Sequence, residues 1–193
     1  MIPVLVKWVT CEVTDTDRFA AGQAGWSALR AWPGLLGQAG GWSTRHPGRA
    51  HVFGCWRDRA AYHTFMAAGH DRIAAGQAGT YRAIEVRLFD EVHQLRRPLP
   101  AVLAAAWVLR LAHGPGQPGR PLDGAPDEPV TTPGFLGGCV AASGSAGFLV
   151  LTAWRATGEP VDTAGEPVDT AGARRPAGEP IRLVPAWTVG PAA

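Results

Sequence analysis

The chain has 193 residues, of which 46% are hydrophobic and 18% are charged, and its formal net charge at pH 7 is +2. This length can bury one large core or two small ones, and the apolar content excludes general disorder. The 18 basic and 16 acidic residues form no block of one sign, so neither a nucleic-acid partner nor a membrane surface is indicated. No apolar run reaches the ~18 residues that a membrane span needs.

Cysteine usage points to a reducing compartment. The three cysteines, Cys11, Cys55 and Cys139, are odd in number and lack a CxxC spacing, which argues against a disulfide framework and a structural zinc site. A lysine interrupts the apolar start MIPVLVKWVTCEV, so this segment predicts a first strand rather than a secretion signal. We therefore expect a cytoplasmic protein in which Cys11 and Cys55 pack as small hydrophobes.

The first half of the chain begins with a strand, a helix and two further strands. β-branched residues over 4–13 predict the first strand, and Thr14 or Asp15 is expected to begin a helix. Pro33 and Gly34 end that helix, because they favour a turn over a further helical residue. The runs LLGQAGGW and HVFGCW are then predicted as strands two and three.

A second helix and a fourth strand complete this half. The helix has apolar or small residues at offsets 0, 3, 4, 7 and 11, which is one stripe of a helix: Tyr62, Phe65, Met66, Gly69 and Ile73. The strand TYRAIEVRLF is expected to turn one set of side chains toward the helices, namely Ile84, Val86 and Leu88. The other set should face away: Tyr81, Glu85, Arg87 and Phe89. The resulting order, β-α-β-β-α-β, is typical of a ferredoxin-like α+β fold.

The second half of the chain repeats the first. The motif Pro-Gly-x-Leu-Gly occurs at 33–37 and again at 133–137. Three further pairs of aromatic residues serve as anchors of the repeat, because their spacing from one another and from this motif differs by at most two residues between the halves. They are Trp8 with Trp107, Trp56 with Trp154, and Phe89 with Trp187. Such agreement indicates a tandem duplication of one domain.

The second copy is degenerate. Where the first copy has helices, the second has proline-rich segments over 114–130 and 157–178, the latter with GEPVDTA twice in tandem. Proline every few residues forbids helix, so these segments are expected to be irregular. We expect a ferredoxin-like domain over 1–93, a linker over 94–102 and the second repeat over 103–193. The two sheets should pack on each other as an intrachain pseudo-dimer, with a homodimer of the whole chain left open.

Several stretches together carry a family resemblance. These are KWVTCEV, the WSAL helix, PGLLGQAGGW, the strand ending in CWRD, the AYHTFM helix with GHDRI after it, and TYRAIEV. They resemble the YdbC-like proteins, a bacterial family of unknown function in the dimeric α+β barrel superfamily, which also contains the antibiotic biosynthesis monooxygenases. The resemblance covers residues 3–90 and implies two four-stranded sheets that close face to face as a barrel with helices outside. It implies no reaction, because one fold hosts many.

Two histidines on the second helix are the candidate catalytic residues. His63 and His70 are seven residues apart, so at ~100° per residue they fall within ~20° of each other. Either could line the cleft between helix and sheet as a general base or as an axial haem ligand, unless both are ordinary residues at the helix border. Asp71 lies a further ~100° around the helix and is not expected to reach His70. A rise of ~10 Å between the two histidines excludes a shared metal ion.

Aromatic residues are the candidate substrate contacts. A flat apolar pocket could be lined by Trp8, Trp26, Trp56, Tyr62, Phe65, Tyr81 and Phe89, although large aromatic residues also fill ordinary cores. Glu85 and Arg87, two apart on one strand face, are expected to form a structural ion pair rather than an acid-base pair.

Absent motifs narrow the function. The sequence has no GxGxxG, no GxxxxGK[ST], no GxSxG and no HEXXH, so no cofactor is expected unless haem is bound. We favour a small-molecule enzyme of the antibiotic biosynthesis monooxygenase type, oxidising a flat apolar substrate in a cleft between helix two and the sheet. The alternatives are a non-enzymatic ligand-binding or stress-response barrel and a haem-binding protein, so the sequence leaves open whether the chain is an enzyme.

Overall fold

The computed structural model describes residues 4–116, 133–144, 147–155 and 178–190. The segments expected to be irregular, 114–130 and 157–178, lie almost entirely outside these residues. Both copies of GEPVDTA lie outside them as well.

The first half has the predicted order of elements. They are β1 (Leu5–Val13), α1 (Thr16–Ala24), β2 (Leu35–Ser43), β3 (Arg49–Trp56), α2 (Arg59–Ala68), α3 (His70–Ala74) and β4 (Tyr81–Phe89). Short 3-10 segments, Gly25–Ala31 and Ala75–Gln77, follow α1 and α3. The Asp15 carboxylate caps α1 by accepting from the Arg18 N–H, and Asp58 caps α2 by accepting from the Ala61 N–H. Gly69 separates α2 from α3, so the single predicted second helix is two.

Strands dominate the rest of the described chain. They are β5 (Glu91–Leu95), β6 (Val108–Gly114), β7 (Phe135–Ser143), β8 (Gly147–Trp154) and β9 (Glu179–Leu183). The helix α4 (Leu99–Ala105) precedes β6, and a 3-10 turn (Pro185–Trp187) follows β9. After α4, the described part of this half contains no α-helix.

The segment expected to be a linker, 94–102, is structured. It contains the end of β5 and the start of α4, and Leu99, Val102 and Leu103 of that helix are fully buried in the same apolar cluster as the barrel strands. The sequence pattern QLRRPLP suggested a boundary, but the apolar residues that follow it form a helical face that packs against β2 and β7.

The strands form one nine-stranded antiparallel sheet in the order β4-β1-β3-β2-β9-β6-β8-β7-β5. Only Asp90 separates β4 from β5, so one nearly continuous strand pairs with β1 on one side and with β7 on the other. This strand curls the sheet into a barrel. The pattern β4-β1-β3-β2 recurs as β9-β6-β8-β7, which confirms a ferredoxin-like α+β barrel made by tandem duplication with a degenerate second half.

Two of the four sequence anchors hold in the strand register. Gly34 and Gly134 both have positive φ, 87° and 86°, at the start of equivalent strands. The same bulge follows in each copy, since Leu35 pairs with Trp56 as Phe135 pairs with Trp154.

The other two anchors are displaced. Leu5 pairs with Trp56 as Val108 pairs with Trp154, so Trp8 corresponds to Leu111 rather than to Trp107. Trp107 precedes β6 and is 63% exposed. Phe89 likewise corresponds to Ile181 rather than to Trp187.

Trp187 has instead moved to the outer face of the first half. Its ring lies 5.7 Å from that of Phe19 and 5.2 Å from that of Trp42. Two residues later, Val189 and Gln38 of β2 exchange both backbone hydrogen bonds at 2.8 Å. The C-terminal part of the second half therefore covers the first half, while β5 of the first half extends the second.

The contact between the two halves of the sheet is apolar, rather than one between two separate sheets as expected. Its buried side chains come from every strand except β5 and include Val6, Phe53, Cys55, Phe89, Leu109, Cys139, Leu149, Leu151 and Ile181. Burial raises the pKa of the Cys11 and Cys139 thiols to about 12 and raises that of Cys55 as well. The cysteines are therefore small hydrophobes, as expected.

The face assignment of β4 holds with one exception. Leu88 packs toward the helices, but Ile84 and Val86 are 52% and 47% exposed because the helices do not extend over this strand. Tyr81 also faces the helices, where its ring contacts Phe19, because the pairing register with β1 shifts at its end of the strand. Glu85 and Arg87 form the expected ion pair, with Nε 2.8 Å from Oε1.

Candidate functional site

Aromatic residues predicted from the sequence meet between the helices and the sheet. Trp26 follows α1, Trp56 ends β3, and Tyr62 and Phe65 belong to α2; all four are buried. The Trp56 ring lies 5.2 Å from Phe65 and 5.8 Å from Tyr62, and Trp26 lies 6.3 Å from Phe65. With His70, we call this group the helix-face cluster.

His70 lies at the edge of the helix-face cluster. Its ring centroid is 5.7 Å from Trp26 and 5.9 Å from Phe65, and its side chain is 28% exposed. Nδ1 is 2.8 Å from the Asp71 carboxylate. The prediction that Asp71 could not reach His70 is wrong, because both residues lie in the first turn of the short helix α3 and their side chains contact each other although they are adjacent in sequence.

His63 stands apart from His70. It is exposed on α2, and its ring lies 5.8 Å from the ring of Tyr62. Because α2 ends before His70, the two histidines do not share one helical stripe.

Three predicted substrate contacts are not brought to this cluster. Trp8 and Phe89 are buried on the opposite face of the sheet, in the barrel interior. Tyr81 packs beside Phe19, in a separate cluster near Trp187.

A lysine that the sequence did not single out lies under the cluster. The Lys7 side chain points from β1 toward the helices and is only 5% exposed, with Nζ 5.4 Å from the Trp26 ring and 6.0 Å from the Tyr62 ring. Among the described residues, no carboxylate pairs with it and no acceptor binds it. Burial lowers the pKa of Lys7 to about 8, although the nearby Cys11 acts in the opposite direction.

Gly54 gives Lys7 its room. The two residues pair across β1 and β3, and a Cβ on Gly54 would lie 3.5 Å from Cε of Lys7 and 3.4 Å from Nε1 of Trp56. The Trp56 N–H is buried and has no hydrogen-bond partner in the described part of the chain. A buried donor without a described partner and a buried lysine side chain thus both border Gly54 inside an aromatic cluster, an arrangement suited to an oxygen atom of a ligand.

A signal for Lys7 was present in the sequence. Lys7 is the single lysine of a chain that otherwise uses arginine, and it interrupts an apolar strand. The alternation of a strand places it on the same face as Leu5 and Val9, which is the face that the helices cover. A charge on a covered face marks a candidate site.

A second polar group, the seam group, joins the two halves on the barrel side. The Trp8 N–H donates to Nδ1 of His51 at 3.1 Å, and Nε2 of His51 lies 3.4 Å from Oε1 of Glu179 on β9. The Ser43 hydroxyl on β2 donates to the same carboxylate oxygen. Burial would raise the pKa of Glu179, but the His51 and Ser43 contacts outweigh it and lower that pKa to about 2.

The seam group is structural in character. Because the Trp8 N–H can only donate, Nδ1 of His51 accepts and the imidazole proton sits on Nε2, facing Glu179. Nδ1 is therefore satisfied within the seam, whereas Nε2 makes an electrostatic contact with Glu179 at 3.4 Å and no well-aligned hydrogen bond among the described residues. Within the described ranges, no group of three or more histidine, cysteine, aspartate or glutamate residues could hold a metal ion.

The helix-face cluster does not fit haem. An axial ligand needs a flat apolar slot beside it for the porphyrin. In the described structure, Trp26 and Phe65 already pack their rings against His70. No step of the chemistry is therefore assigned to haem.

Sequence comparison places the chain in a family. Residues 5–89 match the family described as "Domain of unknown function (DUF4937)". The uncharacterized protein YdbC of Bacillus subtilis (strain 168) is 35% identical over 102 residues, which cover 86% of that protein and 48% of this chain. The chain belongs to the YdbC family. The YdbC match thus accounts for about half of this chain.

Structural comparison extends over both halves. An anthrone oxidase-like protein superposes with a TM-score of 0.57 at 12% identity, covering 94% of this chain and 92% of that one. A proposed chlorite dismutase gives 0.55 at 14%, covering 97% of each chain. A proposed monooxygenase from Lactobacillus acidophilus NCFM gives 0.55 at 13%, covering 80% of this chain and 77% of that one.

These likenesses show the fold alone, an α+β barrel that extends over both halves of the chain. Because the sequence identities are only 12–14%, these likenesses do not assign the neighbours' reactions to this chain. None of the helices in the described residues is long and apolar enough to cross a membrane.

Proposed function

We propose that the chain is a small-molecule enzyme of the antibiotic biosynthesis monooxygenase type, which oxidises a flat apolar substrate with O2 at the helix-face cluster. The observation that carries this proposal is the buried Trp56 N–H, which has no hydrogen-bond partner among the described residues and borders Gly54, the residue that pairs with the buried Lys7. A planar ring with one oxygen substituent would pack on the aromatic side chains and satisfy both donors.

The chemistry follows from where these donors lie. A positive charge in a water-poor site stabilises a phenolate or enolate oxygen more than it does in water, so Lys7 lowers the cost of deprotonating the substrate. His70 would act as the base, because donation of Nδ1–H to Asp71 leaves Nε2 free to accept a proton. The electron-rich anion then reduces O2. Overall a ring CH2 loses two hydrogens and gains one oxygen as C=O, and the second oxygen leaves as water.

The remaining predicted residues have secondary roles in this proposal. Trp26, Trp56, Tyr62 and Phe65 provide the apolar walls. His63 lies outside Tyr62 and would border the entrance. Because the cluster is closed, α2 must shift to admit a ligand, and the break at Gly69 is where such a movement can occur.

Anthrone is a suitable probe, since it has a flat ring system, one oxygen and a reactive CH2. An oxygen electrode should record one O2 consumed per anthrone converted to anthraquinone, above the rate without protein. Lys7→Met should abolish the enzymatic rate and His70→Ala should lower it at least ~10-fold, whereas His93→Ala, on a distant strand, should leave it unchanged. Each variant is first checked for cooperative thermal unfolding.

The same assay separates the alternatives. Lys7-dependent binding of anthrone without O2 uptake would identify a non-enzymatic ligand-binding barrel. A Soret band that appears with added hemin and disappears in His70→Ala would identify a haem protein and would contradict the conclusion that the helix-face cluster does not fit haem. Neither binding nor turnover would refute the proposed function.

A further inference from the structure

Lys7 has the surroundings of a nucleophilic amine as well as those of a cation. We propose that Lys7 forms a reversible imine with small apolar aldehydes or ketones that enter the helix-face cluster. This inference goes beyond the proposed oxidation and does not require it, because forming an imine consumes no oxidant.

Among the described residues, Lys7 lacks the ion pair with a carboxylate that usually keeps a lysine protonated and unreactive. A lysine held by a carboxylate keeps its proton and its position, but none of the described carboxylates pairs with Lys7. Its Nζ is held instead by the faces of Trp26 and Tyr62 at 5.4 Å and 6.0 Å. Since burial lowers the pKa of Lys7 to about 8, a substantial fraction of the amine is neutral near physiological pH.

The second half supplies an internal contrast. Strand pairing makes Arg110 the counterpart of Lys7. Lys7 lies two residues after Leu5, which pairs with Trp56, and Arg110 lies two residues after Val108, which pairs with Trp154. A guanidinium stays charged and cannot attack a carbonyl. The duplicated fold therefore holds a buried amine in one half only.

The neighbouring donor suits the addition step. As the Lys7 nitrogen attacks the carbonyl carbon, the carbonyl oxygen gains negative charge and then a proton. The Trp56 N–H has no partner in the described part of the chain and borders Gly54, which pairs with Lys7, so it can donate to that oxygen. The hydroxyl of the carbinolamine leaves as water and a C=N bond replaces C=O, so that amine and carbonyl give imine and water.

The approach to Lys7 favours apolar carbonyl compounds. Leu88 pairs with Lys7 on the neighbouring strand, and Val86 and Ile84 continue the same face as exposed apolar residues. No charged residue interrupts this strip of β4. An uncharged aromatic aldehyde therefore matches both the approach and the aromatic walls.

Reductive trapping tests the inference on the whole chain. The protein is incubated with benzaldehyde and sodium cyanoborohydride near pH 7.5, and intact mass and peptide mapping locate the benzyl group. A matched reference is the double variant Lys7→Arg with Arg72→Lys, which moves the single lysine to an exposed position. We expect benzylation of Lys7 at least ~10-fold faster than that of the introduced lysine, because an exposed lysine has a pKa of about 10.4 and is almost fully protonated. Peptide mapping separates this product from benzylation of the N-terminal amine.

A second variant keeps the test valid if Lys7→Arg fails to fold. Gly54→Ala adds a methyl group at ordinary contact distance from both Lys7 and Trp56, so it should fold while slowing the labelling of Lys7. Labelling of Lys7 no faster than of the exposed lysine, or unaffected by Gly54→Ala, would overturn the inference. Failure here leaves anthrone oxidation untouched, and a failed anthrone assay leaves Lys7 labelling untouched, so the two proposals can fall separately.

Discussion

The Nζ of Lys7 lies 5.4 Å from the centre of the Trp26 indole, on the face of the sheet that the helices cover, with no described carboxylate bound to it. An aromatic face compensates only part of the cost of removing an ammonium group from water. Burying the Lys7 ammonium group therefore lowers the free energy of unfolding, and such a cost is typical of a functional position.

The pH dependence of stability should report this cost. The folded chain releases the Lys7 proton near pH 8 and the unfolded chain near its ordinary value of 10.5. In that window the unfolded state binds more protons, so the contribution of Lys7 to the free energy of unfolding rises with pH, by roughly 3 kcal/mol in total. Urea unfolding of Lys7→Met should lack this rise and show about 1 to 3 kcal/mol more stability at pH 7. Identical pH slopes in the two proteins would contradict the prediction.

The Trp56 N–H should matter for binding and not for folding. Trp56→Phe removes a donor that has no partner among the described residues, whereas Trp154→Phe, at the equivalent position, breaks the 3.1 Å bond from Nε1 to the Thr152 hydroxyl. Because only Trp154→Phe breaks a hydrogen bond, it should lower the free energy of unfolding by ~1 kcal/mol more than Trp56→Phe does. Calorimetric titration with 1-naphthol should show weakened binding only in Trp56→Phe, and equal binding in both variants would count against the site.

Acid should open the seam between the halves. Since the pKa of Glu179 is about 2 in the folded chain and ordinarily 4.5, its stabilising contribution is complete above pH 4.5 and is lost as the pH falls toward 2. Ser43→Ala removes a donor to this carboxylate, so its acid unfolding midpoint should lie at higher pH. Asp90→Asn, which changes an exposed carboxylate, should leave that midpoint in place. Circular dichroism during acid titration measures all three proteins.

Close backbone contact at the same seam predicts a steric effect. A Cβ on Gly41 of β2 would lie 2.0 Å from the Arg182 carbonyl oxygen of β9, whereas nothing lies within 4 Å of a Cβ on Gly25. Gly41→Ala should lower the free energy of unfolding by ~1 to 3 kcal/mol because the strands joining the halves must separate. Gly25→Ala should be neutral or slightly stabilising. Equal thermal unfolding temperatures would show that this seam does not hold the halves together.

Local sequence patterns were sufficient for the element order and for the repeat of the Pro-Gly turn. Alternation in β4 placed Arg87 and Phe89 on the barrel side, because each residue's face depends only on its neighbours. Tyr81 does not follow this alternation of faces because its pairing register with β1 shifts. Such a shift depends on two strands at once and cannot be seen in the sequence of one.

The parts that could not be predicted depend on distant contacts. The helical spacing of the cluster residues Tyr62 and Phe65 was visible, but the break at Gly69 and the contact between the adjacent side chains of His70 and Asp71 were not. Trp8 looked like a substrate contact because its type is common in pockets. Only the fold shows that its N–H is committed to His51 on the other side of the sheet.

The lysine resonance tests the central claim most directly. The chain contains one lysine, so labelling with ε-13C lysine gives one side-chain signal whose chemical shift follows the protonation of Lys7. We predict a pKa near 8 in the free protein, and a higher pKa with 1-naphthol bound, because a naphtholate oxygen beside Nζ stabilises the ammonium form. A pKa near the value of about 10.4 for an exposed lysine, unchanged by 1-naphthol, would contradict the account.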